Sequence, residues 1–277
     1  MGSLDPNGFA RYDQKEPAVP ALKIAVDLST VGLPLQKALH MAAELGAAAV
    51  EIDARGEITP QLSRTGVRQV RKILDDHGLR VSSVRYRTRR GYAETTDLDA
   101  RVEATKAAMA LAYSLGAALV SNHVGRIPSD PESPDWRLLV EVLRDLGEHG
   151  HRAGALLAAE TGTAGGDRLA RLLADLPEGA LAVDLNPGNL VQNGFSPLEA
   201  VAALGPAVRL VHASDARAGG GGSPGEPAVL GRGEVDLPAL LGSLEEHGYR
   251  GYFTVGRSGS GDPREELSAA IEYLRRI

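Results

Sequence analysis

Short apolar runs alternate with amphipathic stretches from Leu22 onward. Several of the apolar runs end in polar side chains, a pattern typical of buried parallel strands, and the stretches between them repeat apolar positions every three or four residues, as helices do. We predict eight strands, at 22–29, 48–54, 80–86, 118–123, 155–161, 180–185, 208–214 and 251–255. The helices predicted between and after them lie at 35–45, 61–77, 98–115, 135–152, 167–176, 197–204, 237–247 and 263–276.

The helix ends support a single closed architecture. Several predicted helices are followed at once by a glycine, the residue that most often ends a helix, and a strand begins a few residues later. These glycines are Gly46, Gly78, Gly116 and Gly248. Eight strand–helix units joined by short turns, without a linker, favour one (β/α)₈ TIM barrel over residues 21–277. An open doubly wound sheet is the alternative, and residues 1–20 are predicted to be a poorly ordered or surface-bound tail.

The amino-acid composition excludes several kinds of catalytic and metal-binding chemistry. Apolar residues make up 43% of the chain but aromatic residues only 4%, so the core is expected to be aliphatic and rich in alanine. The absence of cysteine excludes disulfides, thiolate nucleophiles and cysteine-bound metals. None of the five lysines follows Lys106 or ends a predicted strand, which argues against a Schiff-base mechanism.

The net charge and the hydropathy of the chain argue against nucleic acid and membranes as partners. The net charge of −6 does not favour a basic nucleic-acid-binding surface. The N-terminus lacks the pattern of a signal peptide, and no apolar run is long enough to span a membrane. We therefore predict a cytoplasmic protein without a membrane partner.

Three neighbouring strands end in ionisable side chains, namely Glu160, Asp184 and His212. The carboxyl ends of barrel strands meet at one face, where TIM-barrel active sites are built. Two carboxylates and an imidazole can bind a divalent cation and leave positions open for a substrate. The alternative for each residue is a strand cap or an ordinary salt bridge, but their occurrence on consecutive strands favours a shared site.

Further polar residues follow the strands. The third strand ends in four arginines within six positions, Arg85, Arg87, Arg89 and Arg90. Arginine suits bidentate binding of phosphate or carboxylate, although Arg85 or Arg87 could instead pair with Glu51 or Asp53 of the second strand. Candidate substrate-binding residues at or beyond the strand ends are Arg85, Arg87, His123, Asn186, Asn189, Asp215 and Arg217.

The late motifs resemble those of a known family. They are Asp184-Leu185-Asn186-Pro187-Gly188-Asn189-Leu190, Val211-His212-Ala213-Ser214-Asp215, Leu230-Gly231-Arg232-Gly233-Glu234-Val235-Asp236 and Gly248-Tyr249-Arg250-Gly251-Tyr252. In this order they resemble the xylose isomerase-like TIM barrels, also called sugar phosphate isomerases/epimerases, over nearly the whole chain after Leu22. The first motif is similar to the family's strand-six aspartate followed by a loop of small residues.

The resemblance implies a metal centre with one departure. Glu160, Asp184 and His212 match three of the family's four metal ligands, and Glu160 matches a glutamate that also exchanges the substrate proton. Gly256 stands where the family has a strand-eight glutamate, and Pro187 stands where several epimerases have a histidine. Because the fourth ligand and second base are missing, we expect weak metal occupancy, and the two-base epimerisation mechanism does not transfer directly. Glu226, Glu234 and Asp215 are conceivable substitutes, with local loop contacts as the alternative.

The functional hypothesis is a divalent-metal-dependent isomerase or epimerase-like enzyme acting on a sugar, sugar phosphate or polyol, with Glu160 as the catalytic base. Manganese or magnesium suits the carboxylates best, with zinc or cobalt as alternatives. A one-base lyase is a close variant, and Gly256 favours a non-catalytic sugar-binding or complex subunit as the rival. The expected partner is a small, sugar-like molecule that carries an anionic group, and a homo-oligomer is left open.

Overall fold

The computed structural model describes residues 22–220, 225–259 and 261–277; the predicted tail at 1–20 lies outside the described residues. Eight parallel strands form a closed barrel, and the prediction of a single (β/α)₈ barrel is confirmed. The barrel strands are β1 (Lys23–Asp27), β2 (Ala49–Asp53), β3 (Arg80–Arg85), β4 (Leu119–Asn122), β5 (Leu156–Glu160), β6 (Ala182–Leu185), β7 (Val208–Ala213) and β10 (Tyr252–Val255).

Strand pairing closes the barrel between its first and last strands. β1 pairs with β2 on one side and with β10 on the other, with Ala25 beside Thr254. Helices follow the strands and pack outside them. They are α1 (Leu35–Glu44), α2 (Arg64–Asp76), α3 (Leu98–Ser114), α4 (Pro134–Ala153), α5 (Gly166–Ala174), α6 (Pro187–Gln192), α7 (Pro197–Leu204), α8 (Leu237–Glu246) and α9 (Pro263–Arg276). None of the described helices is both long and apolar enough to cross a bilayer.

The predicted helix ends are correct in their physical detail. The four glycines expected to terminate helices have φ between 64° and 84°, a conformation that favours glycine. The hydrophobic core lies between the strands and the surrounding helices and is aliphatic, with fully buried residues such as Ile52, Leu157 and Leu185. This arrangement leaves the barrel interior free for polar side chains.

Two short elements differ from the predicted pattern. The segment expected to be a loop of small residues after β6 is the helix α6, which begins at Pro187 with Asn186 as its N-cap. Proline suits the first helical position because its ring fixes φ and no backbone N–H is needed there. The long interval after β7 contains an antiparallel hairpin of β8 (Asp215–Arg217) and β9 (Glu226–Ala228).

The strand register brings polar residues together inside the barrel. Laterally paired residues in a sheet point to the same side. Asp27 pairs with Glu51, and Glu51 pairs with Ser83. Glu160 pairs with Asp184 on the opposite wall, and His212 pairs with Thr254. The carboxyl ends of the strands therefore surround one polar cluster.

Candidate functional site

Asp184 and His212 form the centre of the polar cluster. His212 Nδ1 lies 2.7 Å from Asp184 Oδ1, and Ser121 donates its hydroxyl hydrogen bond to the other carboxylate oxygen. Asp184 is fully buried and His212 is 5% exposed. The two predicted ligands are therefore in direct contact, and the contact orients the His212 ring relative to the Asp184 carboxylate.

A second group of charges lies on the other side of His212. The Nε2 atom of His212 is 2.9 Å from Glu51 Oε1 and 2.5 Å from Arg85 Nη2. Arg85 Nε donates to the same Glu51 oxygen at 2.7 Å, and Arg85 Nη1 is 3.4 Å from Asp27 Oδ2. Ser83 donates to the second Glu51 oxygen at 2.6 Å. All of these side chains are buried.

Burial and opposite charge act against each other in this cluster. Burial alone would raise the pKa of Glu51, but Arg85 and His212 lower it below its usual value. Burial alone would lower the pKa of His212, but Asp184 and Glu51 raise it well above its usual value. Burial raises the pKa of Asp27 in spite of Arg85. The cluster is thus a network of mutually stabilised charges.

Glu160 lies at the mouth end of β5 and has its own set of partners. The side-chain amides of Asn186 and Asn189 donate to Glu160 Oε1 at 2.9 and 3.2 Å, and Arg87 Nη2 lies 3.6 Å away. Burial would raise the pKa of Glu160, but His212, Arg85 and Arg87 bring it below its usual value. The Glu160 carboxylate is therefore ionised and oriented through one oxygen.

Helix α6 explains how both amides reach Glu160. Asn186 caps the helix through Oδ1, which accepts the backbone N–H of Asn189, so its Nδ2 is turned towards Glu160. Ser214 also donates to Asn186 Oδ1 at 2.5 Å. Asn186 and Asn189, which were predicted to bind substrate, thus contact Glu160 and orient its carboxylate, and their binding of substrate stays a prediction.

The arginines at the end of β3 and just after it lie partly inside the barrel and partly at the mouth formed by the carboxyl ends of the strands. Arg85 points inward and pairs with Glu51, the pairing that the sequence left open as an alternative, so its guanidinium is not a free anion-binding group. Arg87 lies beside Glu160, and the side chains of Arg87, Arg89 and Arg90 are all exposed. His123 Nε2 lies 2.6 Å from the backbone oxygen of Thr88, which ties it to the loop after β3.

Candidates after β7 hold a loop together. Asp215 Oδ1 accepts the backbone N–H groups of Ala216 and Val235, and its Oδ2 accepts those of Gly231 and Gly233. Its lone pairs are therefore occupied by backbone rather than directed at a substrate. Two further loop carboxylates have local contacts as well.

Together with Asp215, these two carboxylates were the conceivable replacements for the missing ligand. Glu226 pairs with Arg217 at 3.6 Å. Glu234 accepts the N–H of Ala218 at 3.0 Å. Arg217 also donates to the backbone oxygen of Arg232. Each of these contacts lies within the loop and hairpin after β7.

Gly256 faces the mouth next to β1. A Cβ on Gly256 would lie 3.7 Å from Asp27 Cβ and 3.2 Å from Thr30 Cγ2. Its φ is outside the left-handed region, so the backbone admits a side chain there. The position thus points towards the cluster and contributes no donor atom to it.

The side chains of Asp184, His212 and Glu160 are of the kinds that bind a hard divalent cation. Asp184 Oδ1 and His212 Nδ1 are separated by a distance suited to two adjacent ligand atoms. The other nitrogen of His212 contacts Glu51, and in metal sites a carboxylate commonly binds the second nitrogen of a metal-ligating histidine in this way. Asn186 and Asn189 leave Glu160 Oε2 without a hydrogen bond from any described residue. Among the described residues, however, the group whose ligand atoms all lie within 4.8 Å of one another is Asp27, Glu51 and His212, and the predicted set of Glu160, Asp184 and His212 does not form such a group.

Asp27 and Ser121 were not identified from the sequence, and Glu51 was named only as a possible partner of Arg85 or Arg87. A signal was available, because Asp27 and Glu51 are acidic residues inside otherwise apolar strands and such residues face the barrel interior.

A cavity of about 520 Å³ lies beside the hairpin and is lined by Arg217, Arg232 and Ser258. A larger one, of about 650 Å³, lies at the opposite end of the barrel, away from the carboxylates.

The sequence and the fold of the chain are similar to those of known proteins. The sequence profile of the xylose isomerase-like TIM barrel family matches residues 39–277. No curated protein sequence matches the chain significantly. A xylose isomerase domain protein from Planctomyces limnophilus is 27% identical, with a TM-score of 0.81 and coverage of 92% of this chain and 96% of that one.

Two more distant solved structures share the fold. A xylose isomerase-like TIM barrel protein from Mycobacterium smegmatis, solved in complex with magnesium, is 22% identical with a TM-score of 0.71, covering 92% of this chain and 96% of that one. A sugar phosphate isomerase/epimerase from Parabacteroides distasonis is 17% identical with a TM-score of 0.70, covering 96% and 98% of the two chains.

Proposed function

Because the chain belongs to the xylose isomerase-like TIM barrel family, we propose that it catalyses proton transfer on a sugar or sugar phosphate at the carboxyl end of its barrel. The proposed reaction is an isomerisation: a base removes the proton from the hydroxyl-bearing carbon next to a carbonyl, a proton is added to the former carbonyl carbon, and a second proton passes from the hydroxyl oxygen to the former carbonyl oxygen. The observation that carries the proposal is the ionised Glu160 carboxylate, which is largely buried and oriented by two amides at the mouth.

Glu160 is the proposed catalytic base. Asn186 and Asn189 hold Oε1, so Oε2 is the oxygen that would accept the substrate proton. One carboxylate is sufficient for isomerisation, because it can return the proton on the same face of the substrate. An epimerase needs a second group on the opposite face, and Gly256 stands where the resemblance implies that group. Isomerisation is therefore favoured over epimerisation.

A divalent cation is part of the proposal. Glu160, Asp184 and His212 would hold it, with magnesium or manganese favoured by the two carboxylates and zinc or cobalt as alternatives. When bound, such an ion polarises the substrate's carbonyl and hydroxyl oxygens. The magnesium complex of the Mycobacterium smegmatis relative supports this part of the proposal.

The rim favours an anionic substrate. The exposed side chain of Arg87 lies beside Glu160. Arg217 and Arg232 line the 520 Å³ cavity next to the hairpin. Guanidinium groups bind phosphate or carboxylate in bidentate fashion. The name of the Parabacteroides distasonis relative, a sugar phosphate isomerase/epimerase, agrees with a sugar phosphate as the substrate class.

Deuterium exchange tests the proposed proton transfer directly. The Mn²⁺-loaded protein is incubated in D₂O with a panel of aldoses, ketoses and their phosphates, and deuterium next to the carbonyl is measured by NMR. We expect exchange with the wild-type protein and a loss of at least about 100-fold in Glu160→Gln, because the base is removed. Glu141→Gln, on the exposed face of α4, is the matched control and should exchange normally.

Absence of exchange throughout the panel, or equal exchange in Glu160→Gln, would contradict the assignment. The first result, together with sugar binding, would favour the rival function of a non-catalytic sugar-binding subunit, for which Gly256 is the motivating feature. Deuterium exchange accompanied by loss of water from the substrate would identify the one-base lyase.

Gly256→Glu tests the incomplete ligand set. The new carboxylate would point towards Asp27, and its Cβ requires Thr30 to shift by a few tenths of an ångström. We expect higher Mn²⁺ occupancy after dialysis, measured by mass spectrometry, because an anionic ligand is added. Gly256→Gln is the control for bulk. Full occupancy already in the wild-type protein would show that another residue completes the ligand shell.

A further inference from the structure

Arg85 lies deep in the barrel among groups that usually bind a metal ion. Its side chain is 9% exposed. The guanidinium contacts Glu51 at 2.7 Å, His212 Nε2 at 2.5 Å and Asp27 at 3.4 Å. These three partners are also the residues whose ligand atoms all lie within 4.8 Å of one another. A cationic side chain therefore lies where two carboxylates and an imidazole converge.

We propose that Arg85 is a resident cation that takes the place of a divalent ion in the Asp27–Glu51–His212 cluster. Two carboxylates and an imidazole within this distance make a typical ligand set for a divalent ion. The positive charge of Arg85 compensates the carboxylates instead. The mouth then has room for one exchangeable ion, on the Asp184 side of His212. This inference deepens the proposed function but does not depend on which sugar is bound.

Arg85 also acts as a positioning residue for His212. The Nε2 atom has one hydrogen-bonding position, which faces both Glu51 and Arg85. As an imidazolium, His212 donates from Nδ1 to Asp184 and from Nε2 to Glu51. Once the ring is neutral, an Nε2 atom that accepts from Arg85 leaves the remaining proton on Nδ1, where it is donated to Asp184. If Nε2 carries the proton and donates it to Glu51, the Nδ1 lone pair is free for a cation. Arg85 thus competes with an ion on the Nδ1 side as well.

The charges explain why the cluster requires a cation. Glu51 is fully buried and Asp27 is 3% exposed. Removing Arg85 would leave two buried carboxylates with His212 alone as a countercharge, and an unpaired buried charge is strongly destabilising. A divalent ion would restore the lost charge, and its preferred ligands are already in place. The prediction is a change in metal stoichiometry.

The test is Arg85→Met, assayed for Mn²⁺ binding by calorimetry and by mass spectrometry after dialysis. Methionine keeps the length of the side chain without its charge. We expect about one further Mn²⁺ per chain relative to the wild-type protein, held chiefly by the vacated Asp27 and Glu51 carboxylates, because the single lone pair of a neutral imidazole serves only one of the two ions. The double variant Glu51→Gln/Arg85→Met should not bind this ion. Arg87→Met, from the same strand end but outside the cluster, should match the wild-type protein.

Each outcome decides the matter. If Arg85→Met folds only when Mn²⁺ is present, the ion has replaced the arginine and the proposal is supported. Unchanged stoichiometry, failure to fold even with Mn²⁺, or a further ion in the double variant would overturn it. The deuterium-exchange assay is read separately, so loss of sugar chemistry with the expected stoichiometry would reject the proposed function and leave the role of Arg85 standing.

Discussion

At the residue scale, Thr254 stands out among the polar groups of the barrel interior. It is 1% exposed, and its hydroxyl has no hydrogen-bond partner among the described residues. A buried donor without a partner is costly, whereas a methyl group of the same shape is not. We expect Thr254→Val to keep or raise the free energy of unfolding, by up to about 1 kcal/mol in urea titrations.

Thr105 is the matched control for this substitution. Its buried hydroxyl lies 2.9 Å from Tyr92 Oη and donates to the backbone oxygen of Arg101 at 2.8 Å. Thr105→Val should therefore lower the free energy of unfolding by about 1–2 kcal/mol. Equal losses in the two variants would mean that Thr254 has a partner that the protein side chains do not supply, such as an ordered water.

Glu57 supplies a pH-dependent prediction. It follows β2 and accepts the Asp53 backbone N–H at 2.7 Å. Burial and the nearby Asp27 and Asp53 carboxylates raise its pKa to about 7. The folded chain therefore holds a proton that the unfolded chain has released, so Glu57 lowers stability as the pH rises from about 4.5 to about 7 and above.

Glu57→Gln should remove this dependence. Glutamine keeps an oxygen for Asp53 and resembles the protonated acid. We expect the variant to be more stable than the wild-type protein at pH 8 by about 1 kcal/mol, with the difference vanishing at pH 4.5, in urea titrations across this range. Glu141→Gln on α4 should show no such trend. A constant difference at every pH would disprove the assigned titration.

At the element scale, the loop after β7 depends on Asp215. Four backbone N–H groups converge on its carboxylate. Asp215→Ala would leave these donors without their acceptor, and we expect a loss of about 3 kcal/mol of unfolding free energy. Hydrogen exchange at Gly231, Gly233 and Val235 should accelerate more than exchange in the barrel strands.

A neighbouring aspartate provides the control for Asp215. Asp236 caps α8 through Oδ1, which accepts the N–H of Ala239. Asp236→Asn keeps a capping oxygen and should cost no more than a few tenths of a kcal/mol. If Asp215→Ala leaves exchange at the three loop amides unchanged, the carboxylate is not the anchor of the loop.

The elements also show how far the sequence could be interpreted. Apolar runs and terminal glycines predicted the eight barrel strands, because burial on both faces leaves a strong local pattern. The hairpin of β8 and β9 and the helix α6 were not predicted, since both are short and have no repeating apolar pattern. Asn186 followed by Pro187 did carry a helix-start signal, which the preceding strand obscured.

The site was predictable only where it follows from strand order. Neighbouring strands brought Asp184 and His212 together, as expected from their position at the strand ends. Arg85 and His212 contact each other across the barrel from positions 127 residues apart. Such a contact depends on barrel closure and side-chain rotamers. Spacing along the chain therefore suggested an arginine at the mouth and left its partner open.

At the scale of the whole molecule, the seam between β1 and β10 closes the barrel, and α9 packs beside it. Arg275 donates to the backbone oxygen of Gly46 at 2.9 Å, and Arg264 pairs with Glu44. The helix buries three large apolar side chains, Leu267, Ile271 and Leu274. Their burial contributes roughly 5–9 kcal/mol, a large part of the 5–15 kcal/mol by which domains of this kind are stable.

We therefore predict that a chain ending at Asp262 loses cooperative folding throughout the rest of the barrel. Trp136 reports on the far side of the barrel: it is the single tryptophan, it is 2% exposed on α4, and its indole donates to Asp175 at 2.8 Å. In the full-length protein, tryptophan fluorescence and far-ultraviolet circular dichroism should give coincident urea transitions. In the truncated chain the Trp136 emission should be that of an exposed indole without denaturant. Deletion of Ile277 alone is the control and should change little, since that residue is 43% exposed. A truncated chain in which Trp136 stays buried and unfolds cooperatively would show that the barrel consists of two independently stable parts.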